Sequence, residues 1–252
     1  MGQTTVVGAA GRERRALGAL GPKSTAFEGG TSLFKHEKEL LTTVRVDGPN
    51  PTYAAMLVEQ LGGGNGELKA AMQYMAQAVA CTDPSIKDLL MDIASEELSH
   101  MEVVATAVKL LNGEKVSAGD VTTGTPEMHI LSGTAPLLVD SSGVPWTAAY
   151  VNVTGDLITD LMSDAAAELR AKVVYEQLHR QIEDRGVREV IDFLLNREEA
   201  HNALFQEAME RVRGTGAMKD FGTTRDATQY YNLSEPGRYF RLEENQPHNS
   251  GG

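Results

Sequence analysis

Apolar residues recur three and four positions apart through four long stretches of the chain, the spacing that lines one face of an α-helix. The first stretch opens at NPTYAAMLVEQL, with Asn50 as N-cap and Pro51 in the first helical position. It then meets LGGGNGE and resumes as LKAAMQYMAQAVA. Each of Gly62, Gly63 and Gly64 weakens a helix by about 1 kcal/mol relative to Ala, so either the helix breaks there or another backbone packs against it. The second helix starts at Asp83-Pro84 and runs to about Leu111, before Asn112-Gly113. The third spans roughly Gly155 to Glu183; the fourth follows a short Asp184-Arg185-Gly186 turn and ends near Gly214. Helices one and two, and helices three and four, are joined by only a few residues, which predicts two antiparallel hairpins. About forty residues separate the hairpins, enough to cross the bundle. The pattern predicts an all-α four-helix bundle over residues 34–214. Residues 1–33 read as a flexible extension, and residues 215–252 as a tail that wraps the bundle or a neighbouring subunit.

Composition narrows the picture. Hydrophobic residues make up 41% of the chain, a globular share. A net charge of −12 argues against nucleic acid and anionic membranes as partners, while a small neutral substrate is indifferent to that field. No apolar run approaches the roughly 18–20 residues of a membrane span, and the N-terminal apolar stretches are too short for a secretory signal. Cys81 is the single cysteine, so no intrachain disulfide forms, and a reducing compartment such as the cytoplasm is expected.

The chemistry lies in a repeat. Glu67 and Glu168 are 101 positions apart, and so are Tyr74 and Tyr175, Glu97 and Glu198, His100 and His201. Glu97 and His100, like Glu198 and His201, are one helical turn apart and leave the same face. Each pair interrupts an apolar stripe: Leu90, Ile93, Met101 and Val104 in one helix, Ile191, Leu194 and Phe205 in the other. Counted from the hairpin turns at 1.5 Å per residue, all four glutamates lie at one depth, roughly 20 Å from the turns. Packing the hairpins together therefore gathers four carboxylates and two imidazoles in the core. Buried carboxylates cost several kcal/mol each, and two histidines cannot neutralise four of them. Two divalent cations can. One Glu from each of two helices, with Glu-x-x-His from each of the other two, resembles the constellation of ferritin-like dinuclear carboxylate proteins. By ligand type manganese and iron fit almost equally.

The segments LGGGNGELKAAMQYM, KDLLMDIASEELSHMEVV, GDLITDLMSDAAAEL and FLLNREEAHNALF resemble the non-haem manganese catalases, in matching order over roughly residues 33–235. The resemblance implies a ferritin-like fold, two manganese ions per subunit, and disproportionation of hydrogen peroxide to water and dioxygen. It implies that Glu67 and His100 bind one ion, Glu168 and His201 the other, and that Glu97 bridges them. Glu198 is expected to move protons instead of binding metal. Tyr74 matches a tyrosine beside the family's metal ligands; Tyr175, its repeat mate, is a candidate for the same role but reads first as a core tyrosine. Asp88 and Asp92, with Asn232 and Ser234 in the tail, match calcium-binding positions of some members. The family also implies a homohexamer. One position departs from it: some members carry Arg before the third-helix glutamate, where this chain has Ala167. Two other readings stand beside this one, a ferritin-like di-iron oxidase or iron-storage protein, and a non-enzymatic helical assembly with a structural metal clamp.

Overall fold

The computed structural model describes residues 34–114 and 135–214. Met1–Lys38 and Glu39–Gly252 form separate units, and every helix named below belongs to the second. The extensions expected at residues 1–33 and 215–252 lie outside the described residues. Among the described residues five α-helices follow in order: α1 (Pro51–Gly62), α2 (Glu67–Ala80), α3 (Pro84–Asn112), α4 (Leu157–Gln181) and α5 (Arg185–Gly214), with a short 3-10 turn at Ala148–Tyr150. Helices α1 and α2 together make the first rod of a four-helix bundle, antiparallel to α3. Helices α4 and α5 form the second hairpin. Among the described residues no helix is long and apolar enough to cross a membrane.

Both alternatives for the glycine-rich stretch hold at once. The helix ends at Gly62 because Gly63 turns to an extended conformation, ψ 166°. A Cβ on Gly62 would stand 2.3 Å from the backbone nitrogen of Val139, so the crossover segment lies directly on the helix end. Nearby, Glu59 accepts hydrogen bonds from the Ser141 amide, 3.0 Å, and its hydroxyl, 2.7 Å, fastening the crossover to α1. Asn152 is fastened to α2, its amide donating to Gln73 Oε1 at 3.0 Å and its carbonyl accepting from Gln77 Nε2 at 2.9 Å.

The two hairpin turns are built alike. Residues 81–83 and 182–184 connect the helices, and each turn ends in an aspartate that caps the next helix. Asp83 accepts from the amides of Ser85 and Ile86, and Asp184 from the amide of Val187 at 3.0 Å. The fourth helix therefore starts earlier than its sequence signals predicted. Arg185 and Gly186 belong to α5, and Gly186 is not a turn glycine. A Cβ there would stand 2.3 Å from the Arg45 carbonyl oxygen, so the incoming chain, not a positive φ, demands glycine.

Two apolar clusters fill the bundle. One gathers Leu57, Leu61, Val104, Leu111, Ile182 and Leu194; the other gathers Leu90, Ile93, Leu161, Phe205 and Met209. Between them in the sequence of every core helix stands a buried ionisable residue: Glu67, Glu97, Glu168 or Glu198. The two apolar halves of the core flank a charged layer.

Candidate metal centre

Six side chains meet in that layer. Glu67 comes from the first turn of α2, Glu97 and His100 from the middle of α3, Glu168 from α4, and Glu198 and His201 from α5. All six are buried, none more than 2% exposed. Their donor atoms fall into two groups, each within 4.8 Å: Glu67, Glu97, His100 and Glu198 in one, Glu97, Glu168 and His201 in the other. Glu97 is common to both. Its Oε2 lies 2.9 Å from His100 Nδ1 in a hydrogen bond, and its Oε1 lies 2.8 Å from His201 Nδ1, close but without hydrogen-bond angles. Glu67 Oε2 is 3.6 Å from His100 Nδ1, and Glu168 Oε2 is 3.6 Å from His201 Nδ1. Glu198 Oε1 stands 3.8 Å from His100 Nδ1.

The tyrosines complete a reciprocal pattern. The Tyr74 hydroxyl of the first hairpin donates to Glu168 Oε1 of the second, and the Tyr175 hydroxyl of the second donates to Glu67 Oε1 of the first. Burial, then the adjacent carboxylate, pushes both phenols well above their ordinary range, so they remain donors. For Tyr175 the reading as a plain core residue gives way, because its hydroxyl contacts one of the six.

Sequence reasoning passed over Glu96. The His100 and His201 rings stack 22° from parallel, and their outer Nε2 atoms both point at this one carboxylate, 3.3 Å from Oε1 and 3.2 Å from Oε2. Arg197 grips the same carboxylate, Nε to Oε1 at 2.6 Å. Glu96 and Arg197 are themselves 101 positions apart, so the repeat held the signal as a reversal of charge at matched positions. The two imidazoles close to Glu96 hold its carboxyl well below the usual range against partial burial, with the hydrogen-bonded Arg197 adding to them.

The other carboxylates divide. Burial first, then the charge of Glu97, raises Glu67 to about 8. Burial and the charges of Glu168 and Glu67 push Glu198 well above its ordinary range. Burial acts on Glu97 too, but the charge and hydrogen bond of His100, with His201 close by, outweigh it and hold the carboxyl low. Burial lowers His201, yet the neighbouring carboxylates of Glu168, Glu96 and Glu97 raise it to about 11. Without metal, protons balance this cluster; a pair of cations is the other way to balance it.

Not every expected site residue joins this layer. Asp88 and Asp92 are exposed on α3, and Asn232 and Ser234 lie outside the described residues. Ala167 is buried, next to Glu168 in the chain.

Four core helices, a long crossover and this carboxylate-histidine layer define an all-α bundle of the ferritin-like class. The model of the manganese-containing catalases matches residues 33–241. A probable manganese catalase of Clostridium acetobutylicum is 59% identical over 82% of this chain and 93% of its own length. A manganese catalase of Lactiplantibacillus plantarum is 32% identical over 71% of this chain and 72% of its own. The crystal structure of KatB, a manganese catalase from Anabaena, superimposes with a TM-score of 0.65 at 34% identity, covering 75% of this chain and 84% of that one. The chain belongs to the manganese-containing catalase family.

Proposed function

We propose that this protein is a manganese catalase, converting two hydrogen peroxide molecules to two water and one dioxygen. Its centre is two manganese ions held by Glu67, Glu97, His100, Glu168 and His201. The observation that supports this most is the position of Glu97, fully buried between two groups of ligating atoms and common to both. The donor set fits the ions. Glu97 Oε1, Glu168 Oε2 and His201 Nδ1 have no hydrogen-bond partner in the protein although they are buried, and all three point into the shared space. Carboxylate and imidazole ligands suit manganese, and the family supplies the choice over iron.

When bound, the two ions supply the two-electron couple that peroxide reduction and oxidation require. The chain supplies the rest. Glu67 with His100, and Glu168 with His201, occupy opposite sides of Glu97. Tyr74 and Tyr175 fix the orientation of Glu168 and Glu67, and Glu96 fixes both imidazoles through their outer nitrogens. Cleaving the O–O bond of one peroxide takes two electrons and two protons; oxidising the second returns both. Glu198 is the proton carrier between these halves. Its Oε1 is buried at the metal layer without a hydrogen-bond partner in the protein, placed to donate a proton to a departing oxygen and to take one back from the second peroxide.

The reading extends to assembly and place. Met162, Leu169 and Val173 are exposed apolar residues on α4, which supports a homo-oligomer, a hexamer by family resemblance. Calcium at Asp88 and Asp92, completed by the tail, and a cytoplasmic location rest on sequence alone. Metal analysis of the purified protein, with oxygen evolution from peroxide in the presence of azide, tests the activity. Manganese with azide-resistant oxygen release is expected. Iron without oxygen release would favour the ferritin-like oxidase, and manganese without turnover a structural clamp.

A further inference from the structure

Two stripes of polar side chains face each other along the seam between α2 and α4. On α2 they are Lys69, Gln73 and Gln77; on α4 they are Asp160, Asp164 and Glu168, each set spaced by one helical turn. All six are buried, none more than 4% exposed. Gln73 Nε2 donates to Asp164 Oδ1 at 2.7 Å, joining the stripes at their middle. The outer end of the seam opens into a cavity of about 540 Å³ where the α2–α3 turn meets the start of α4, lined by Gln77, Cys81, Asp83, Asp160 and Asp164 among others. The inner end is Glu168.

Along the seam, Gln77 Oε1, Asp164 Oδ2 and Lys69 Nζ lack a partner in the protein, and the file ends at Glu168, whose Oε2 belongs to the proposed metal centre. Asp160 and Gln73 are satisfied, the first by Thr154 and Gly155 of the crossover, the second by Asp164 and the Asn152 amide. A buried polar atom left unpaired costs about 1–3 kcal/mol. Three such atoms, Gln77 Oε1, Asp164 Oδ2 and Lys69 Nζ, lie along one seam that runs from a cavity to Glu168 of the metal layer, and that succession needs a common cause. Small molecules that both donate and accept hydrogen bonds satisfy them all.

We propose that the α2–α4 seam is the passage through which hydrogen peroxide and water move between the cavity beside Cys81 and the dinuclear centre. Asp164 and Lys69 line its inner half. This inference rests on the catalase reading and adds the route. Hydrogen peroxide offers two donors and accepts at both oxygens, as water nearly does, so the same file of unpaired atoms conducts either.

The test compares Asp164→Leu with Asp164→Asn in the manganese-loaded full-length protein. Leu caps the seam with an apolar group; Asn keeps its shape and its bond from Gln73. The first measurement is kcat and KM by oxygen evolution. The second is the water-proton relaxation enhancement of the Mn(II) form, which reports water reaching the ions with no turnover. Asp164→Leu is expected to retain its manganese while losing about tenfold in kcat/KM and most of the relaxation enhancement, with Asp164→Asn within about twofold of the parent in both. Wild-type kcat/KM and relaxation in Asp164→Leu would overturn the passage. If that variant does not fold, a bulky maleimide on native Cys81 serves instead. It is expected to slow peroxide entry in the parent and not in Cys81→Ser, and an unchanged rate overturns the proposal. Because relaxation needs no turnover, a protein with a gated seam and no catalase activity would refute the activity and leave the passage standing.

Discussion

The two helical hairpins share one plan, yet their matched carboxylates Glu97 and Glu198 have opposite electrostatic fates. Glu97 faces both imidazoles, which hold it ionised; Glu198 faces other carboxylates, which favour its protonated form. The residues one position earlier differ as well. Glu96 precedes Glu97 and draws the outer nitrogens of both histidines toward the first hairpin, whereas Arg197 precedes Glu198 and binds Glu96 instead. The rods differ as well. The first is broken at Gly62 and Gly63 where the crossover lands, while α4 runs unbroken through the equivalent Ser163. A repeated fold thus places its groups symmetrically, and a few neighbours assign them different work.

The sharpest way to break this comparison is to neutralise each member. Glu97→Gln removes the carboxylate common to both ligand groups, and its manganese affinity should fall by more than about 100-fold, beyond what loss of a supporting residue does. Glu198→Gln should keep its manganese and lose about 10²–10⁴ in turnover, the usual worth of a general acid-base. Metal analysis beside oxygen evolution reads both. If Glu198→Gln loses metal as Glu97→Gln does, the two carboxylates are both ligands and the asymmetry is illusory.

Next in size is Glu96→Gln, expected to cost about 10–100-fold in metal affinity or turnover because both histidines lose the anion that orients them. An unchanged enzyme would show that packing alone holds the rings.

The protonation balance predicts how the metal-free protein responds to pH. Glu67 rises from 4.5 to about 8 and His201 from 6.5 to about 11, so the folded state holds protons that the unfolded chain releases. Their contributions are complete below the unfolded values and are lost as pH rises, Glu67 between 4.5 and about 8 and His201 between 6.5 and about 11. Glu96 and Glu97, held low, lose theirs only in acid and do not oppose this near neutrality. The thermal midpoint of the metal-free protein should fall from pH 6.5 to 8, whereas the manganese-loaded protein should not show that fall. Parallel profiles would mean that metal does not replace those protons.

The smallest effect expected is at the break. Gly62→Ala forces the Val139 backbone away and should destabilise by about 1–3 kcal/mol in denaturant titration, while Ser163→Ala in the unbroken rod should be close to neutral. Equal effects would mean that the crossover does not need the gap.

The four helical rods, their hairpin pairing and the depth of the six site residues were all legible in the chain. They follow from period, caps and counting along a helix, which are local. The glycine stretch left two outcomes open from sequence, and Gly186 was misassigned to a turn, because a close backbone approach leaves no pattern in its own neighbourhood. Tyr175 was similarly ambiguous, since an apolar stripe accepts a tyrosine whether or not its hydroxyl finds a partner. Glu96, Lys69 and Asp164 read as ordinary polar residues, and only their burial and facing partners set them apart.

The sequence by itself determined which residues could share one level of the bundle, since helical rise is the same for every side chain. Tertiary structure alone decided which of them face histidine, which face one another, and which line a seam, because those outcomes depend on helix rotation and packing between segments a hundred residues apart, and no local pattern encodes them.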